Sequence, residues 1–130
     1  MSKEIGTQEA FGFGVDPIVI RKHVDGIKGG VLLDVDGFTP EYIRAGHVII
    51  RTTSDGVTTY KPMPVADGAY DSLPANYEYC GVCEATKSTD EPIIAVLTMG
   101  EVNDVAAPYS MTSIMSAFKA AVPTIVWNHD

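Results

Sequence analysis

Apolar residues in this 130-residue chain fall mostly into short β-branched runs or alternate with polar ones, and only near the C-terminus do they take a helical period. Ile18 to Ile20 and Val31 to Val35 are two such runs, with the turn signals Asp25-Gly26 and Gly29-Gly30 between them. Thr39-Pro40-Glu41-Tyr42-Ile43 has the order of one helical turn, Thr39 as N-cap and Pro40 in first position, ended by Gly46. His47 to Lys61 predicts a hairpin about Ser54-Asp55-Gly56, because an Asp-Gly pair supplies the positive φ that a tight turn demands. Pro62, Pro64, Pro74 and Gly68 make 62 to 76 a crossing loop. Tyr77 to Ala85 and Ile93 to Met99 predict two further strands, with Gly100 placed for a bulge. Met111, Ile114, Met115, Phe118 and Ala121 or Val122 then recur at three and four residues, an amphipathic helix capped by Ser110 or Thr112 and stopped by Pro123. Ile125-Val126-Trp127 follows as a last strand, and the helical stripe is expected to cover the sheet.

Residues 1 to 16 fit neither period. They hold three glycines, with Phe11 and Phe13 in a stretch otherwise polar or small, which predicts an extended N-terminal arm. No linker divides the remainder, so 17 to 130 is expected to be a single mixed-β domain. Nine bases against seventeen acids give a net charge of −8, the wrong sign for a phosphate-binding surface, so no nucleic acid is expected as partner. The imbalance concentrates in residues 67 to 104, where eight acids face the single base Lys87. No apolar run reaches a membrane span and the first 20 residues lack the order of a secretion signal, so synthesis in a cytoplasm without membrane contact is expected.

Cys80-Gly81-Val82-Cys83 has the spacing of a redox dithiol, but it continues a strand pattern and no helix follows to lower a thiol pKa. In a regular strand residues three apart point to opposite faces, so the two sulfurs are expected to diverge. Asp34-Val35-Asp36-Gly37 opens like a calcium loop but lacks the glutamate that would close it, and reads as a turn. His23, His47 and His129 have no ligand spacing and are expected to be solvated or hydrogen-bonded. Gly26-Ile27-Lys28-Gly29-Gly30 lacks the Ser or Thr and the helix of a phosphate loop. These readings leave no catalytic residues, metal or cofactor to expect.

Five stretches, in order, resemble the head decoration and head fibre proteins of tailed bacteriophages, the lambda-type capsid-stabilising family. They are Gly46-His47-Val48-Ile49, Tyr60 to Val65, the pair Gly81-Val82, Val96 to Asn103 with its Gly-Glu-Val-Asn, and Ile114 to Val122 followed by Ile125-Val126-Trp127. They span about two thirds of the chain. Tyr42-Ile43-x-Ala45-Gly46-His47 and Tyr70 to Pro74 lean toward the head fibre branch, while 17 to 45 is an extra segment relative to the lambda protein. The resemblance implies a β-tulip-like mixed-β body, a homotrimer at three-fold or quasi-three-fold capsid positions on the outer surface of the virion, the major capsid protein as partner, and no enzymatic activity.

The arm is where capsid contact is expected. In an extended chain Phe11, Phe13 and Val15 share one face and fit an exposed sheet edge, with the contact continuing through Ile18, Val19 and Ile20. The competing reading is a carbohydrate- or cell-surface-binding β module in which Tyr60, Tyr70, Tyr77, Tyr79 or Trp127 stacks on sugar rings.

Overall fold

The computed structural model describes residues 16–129. The chain is mainly β, with one helix of two turns near the C-terminus. A short helical turn, α1 (Asp16–Val19), leads into β1 (Ile20–Gly26). Next come β2 (Val31–Leu32), β3 (Tyr42–Ile43) and the hairpin of β4 (Val48–Ser54) with β5 (Val57–Pro62). After β6 (Val65–Ala66) and β7 (Ala69–Tyr70) follow β8 (Glu78–Cys83), β9 (Lys87–Ser88), β10 (Ile93–Ile94) and β11 (Val96–Val102). Helix α2 (Met115–Ala121) and β12 (Ile125–Trp127) close the chain.

The main sheet runs β1-β11-β8-β4-β5, and β12 lies parallel to β11 while the other neighbours are antiparallel. The expected hairpin forms around Asp55 and Gly56, whose φ values of 52° and 78° are those of a primed turn. Two apolar clusters hold the sheet. Val48, Ile50, Tyr79, Val82, Leu97 and Val102 face Phe118, Ile114, Met111 and Val122, so the helical stripe covers one side as its spacing predicts. Ile49, Cys80, Cys83 and Val96 face Leu33, Ile43 and Ile94 on the other.

Several local expectations change. Thr39 to Ile43 is not a helical turn: Tyr42 and Ile43 pair with Ser88 and Lys87, which places Ile43 wholly inside the second cluster. Burial of that side chain outweighs one weak turn of helix. The 62 to 76 loop contains a second Asp-Gly hairpin at Asp67 and Gly68, both at positive φ. Helix α2 starts at Met115 rather than near Ser110, since the Ser110 hydroxyl accepts from the Thr112 amide at 3.3 Å and holds those residues in a turn. The bulge expected at Gly100 is not there: Gly100 pairs with His23, and the slips flank that pair, leaving Arg21 and Val24 unmatched on β1 and Thr98 on β11.

The cysteines depart most from expectation. The β4–β8 register passes from Ile49↔Gly81 to Ile50↔Tyr79 and leaves Cys80 as an extra residue. That bulge reverses the phase of the strand, so Cys80 and Cys83 share the second cluster instead of pointing apart.

Candidate interaction surface at the arm root

Asp16 anchors the start of the described chain. Its carboxylate accepts from the Thr86 amide at 2.9 Å and the Thr86 hydroxyl at 2.7 Å, and that hydroxyl oxygen accepts from the Ala45 amide at 3.0 Å. Thr86 is buried, so the clamp is shielded from water on one side. Three residues on, Val19 is 2% exposed inside the first cluster, and its carbonyl accepts from the Asn103 amide at 2.8 Å. Gly46 makes room for it: φ is +90°, and a Cβ there would lie 2.5 Å from Val19 Cγ1, 3.2 Å from Pro108 Cδ and 3.8 Å from Ala107 Cα.

The six expected contact residues therefore separate. Phe11, Phe13 and Val15 lie outside the described residues. Ile18 is 55% exposed and presents an apolar surface at the root. Val19 and Ile20 are corrected to the body, the first buried and the second half-buried against the first cluster in β1. The arm boundary moves with them: Asp16 is part of the domain, because its carboxylate bonds to a residue 70 positions away. No local sequence signal marks this clamp, because its partner is distant in the chain.

Beside the root lies a groove of about 490 Å³ whose walls include Val105, Ala107, Tyr109, Met111 and Met115. Val105 is 73% exposed at its lip. Tyr109 is braced from behind, edge-on to His47 at 5.5 Å and tilted against Tyr70 at 5.3 Å. His47 also meets Phe38 and Tyr70 edge-on, and its Nε2–H donates to the Met63 carbonyl at 2.9 Å. Burial lowers its pKa to about 4, against the smaller opposing effect of that bond, so the ring is neutral at pH 7. The Tyr70 hydroxyl accepts from the Val48 amide, and burial pushes its pKa up. These rings back Tyr109, and the polar atoms of His47 and Tyr70 are bonded to the backbone inside.

A second apolar surface lies on the main sheet opposite α2. Met99 and Val126 are exposed there beside a polar network in which Arg21 meets Glu101 at 3.1 Å and Asn128 donates to Glu101. Elsewhere Leu32 and Ile93, paired across β2 and β10, are both exposed.

The other candidate chemistry lies apart from this surface. Burial raises the Cys83 pKa to about 12 and also raises that of Cys80, against a smaller lowering by Arg51, so both stay thiols at neutral pH. Asp34 to Phe38 is a turn, with Asp34 accepting from the Asp36 amide and Gly37 at positive φ. Among the described residues no three His, Cys, Asp or Glu side chains gather where they would hold a metal ion. His23 pairs with Glu84 at 2.8 Å and His129 with Asp104 at 3.0 Å. Of the aromatic residues considered for sugar stacking, Tyr70 and Tyr79 are in the core, and Trp127 packs edge-on against Phe118. The surface offers apolar area and backbone edges, the means of noncovalent recognition. No family model, curated protein or solved structure matches the chain.

Proposed function

We propose that the chain is a head decoration protein of a tailed bacteriophage, which binds assembled major capsid protein as a trimer and stabilises the shell from outside. The ordered resemblance of five segments supports this reading, and so does the mainly β body with its single C-terminal helix. The observation that carries it is the arm root. A glycine-rich segment bearing Phe11, Phe13 and Val15 joins a body that grips Asp16 and buries Val19, so partner contacts made by the segment pull directly on the folded domain. Such a segment adds interface, and the glycines allow close backbone approach to a sheet edge. A stable contact needs on the order of 800 Å² per partner, which a body of this size can supply together with its arm. Each bridge between capsomers then stabilises the assembled shell by mass action.

Cosedimentation with purified, expanded capsids tests the proposal. Saturable pelleting is expected, with a bound copy number that is a multiple of three. Pelleting no greater than that of an unrelated acidic protein would exclude capsid binding, and saturation at other stoichiometries would remove the trimer.

A further inference from the structure

We propose that the peptide bond between Asp16 and Pro17 is a latent self-scission site with the Thr86 clamp as its latch, so that release of the Asp16 carboxyl lets it cut its own chain and shed residues 1 to 16. The inference rests on the clamp and on the chemistry of this bond, and it does not depend on the capsid reading.

The sequence supplies the reactive pair. Of the eight prolines only Pro17 follows an aspartate. Its nitrogen belongs to a tertiary amide, which has no N–H and accepts a proton more readily than an ordinary peptide nitrogen. An aspartyl side chain has the length to close a five-membered ring on its own carbonyl carbon, and such an intramolecular attack has a high effective molarity. The carboxyl proton passes to the Pro17 nitrogen while a carboxyl oxygen bonds to the Asp16 carbonyl carbon. The carbon–nitrogen bond then breaks, Pro17 leaves as a secondary amine, and water opens the cyclic anhydride to leave Asp16 as a free C-terminus. The sum is hydrolysis, with water as the sole co-reactant. Glu91-Pro92 is a control within the same chain, since a glutamyl side chain closes only a less favourable six-membered ring.

The fold supplies the latch. One carboxylate oxygen of Asp16 accepts from the Thr86 amide at 2.9 Å and the other from the Thr86 hydroxyl at 2.7 Å. Both oxygens are thereby held in the ionised form against a residue 70 positions away. Thr86 is buried, and its hydroxyl oxygen is itself fixed by the Ala45 amide at 3.0 Å. Among the described residues the carboxylate bonds only to Thr86, and the ionisable side chains around that turn are Cys83, Glu84 and Lys87. Protonation of the carboxyl removes an acceptor from the clamp and supplies the proton that the leaving nitrogen takes, so acid opens the latch and arms the bond together. Water reaches the bond, because Pro17 and Ile18 are exposed. The body left behind begins at Pro17 and keeps Val19 inside the first cluster.

The test is incubation of the full chain at about pH 4, where aspartyl carboxyls in general are partly protonated, with the fragment that begins at Pro17 followed by mass spectrometry. That fragment is expected to accumulate at least tenfold faster in guanidinium chloride than in native buffer, with no cut at Glu91-Pro92. Thr86→Val, which loses the hydroxyl and keeps the amide, should speed native scission at least threefold, and Thr86→Ser should restore the parent's rate. Asp16→Glu should slow scission at least tenfold even in guanidinium chloride. A pyridyl disulfide, which labels thiols in acid, reports whether the buried Cys83 is exposed during the incubation. Native scission of the parent without Cys83 labelling is expected, as local release of the clamp requires. Scission that keeps pace with Cys83 labelling, or equal native rates for Thr86→Val and the parent, would overturn the latch. An intact bond in guanidinium chloride would overturn the site itself.

Discussion

Phe118 is fully buried where α2 meets the sheet, tilted against Tyr79 at 5.5 Å and edge-on to Trp127 at 5.4 Å. Phe118→Ala is therefore expected to cost about 3 to 5 kcal/mol in urea unfolding, the range for an aromatic ring removed from a packed core. A change below about 0.5 kcal/mol would match a surface position instead. The period of three and four made this residue legible. His47 was not: nothing in its neighbours marks it as buried, because the aromatic rings around it come from residues 38, 70 and 109. Its burial has a pH consequence. The unfolded ring titrates near 6.5 and the folded one near 4, so between those values the unfolded chain binds a proton that the folded chain excludes. The stabilisation is complete above about pH 6.5 and is lost as pH falls toward 4, about 3 kcal/mol in all. Unfolding free energies measured across that interval should show the loss, and His47→Gln should flatten the curve there. An equally steep curve in the variant would assign the acid sensitivity to other groups.

At the scale of elements, what the sequence shows depends on whether a segment's own pattern decides its structure. The β4–β5 hairpin was legible because the Asp-Gly turn and both flanks agree, whereas Asp67-Gly68 carries the same signal with flanks only two residues long. Strand β1 was read only at its first residue, since Arg21 to Asp25 hold a single apolar residue, the exposed Val24, lie on a sheet edge and show no strand period. Its pairing with β11 holds it in place. The bulge at Cys80 was illegible for another reason, since a slip in register is fixed by the neighbouring strand and not by the strand that carries it. Gly81 gives the bulge a testable constraint: a Cβ there would collide with the Leu97 carbonyl, so Gly81→Ala is expected to destabilise by about 1 to 3 kcal/mol through overpacking. A melting temperature equal to the parent's would mean that β8 and β11 lie farther apart. The same bulge brings Cys80 and Cys83 into one apolar cluster, which predicts that neither thiol is alkylated in the native protein at neutral pH while both react in urea. Rapid native labelling of either would contradict that packing.

Over the whole molecule, the sheet is covered on one side by α2 and the segments around it, while the β1-β11-β12 end of the other side keeps Met99 and Val126 in water. This arrangement was only partly legible, because the helical stripe announces one cover but no local pattern tells which end of the sheet the second cluster leaves open. The change in composition over residues 1 to 16 does not show where the body begins, since Asp16 joins it through a residue 70 positions away. That boundary fixes the decisive deletion. Removing residues 2 to 15 spares both the Thr86 clamp and Val19, so the melting temperature is expected to stay within a few degrees of the parent's. Removing 2 to 19 takes both away, and with them a buried valine and two charge-assisted hydrogen bonds, which should cost on the order of 3 kcal/mol or more. If residues 2 to 15 carry the capsid contact, the shorter deletion should also weaken cosedimentation at least tenfold, about 1.4 kcal/mol of binding free energy. Unchanged capsid affinity would transfer the contact to the body, whose Met99 and Val126 face would then be the surface to mutate. A large fall in melting temperature for the shorter deletion would make residues 2 to 15 part of the fold.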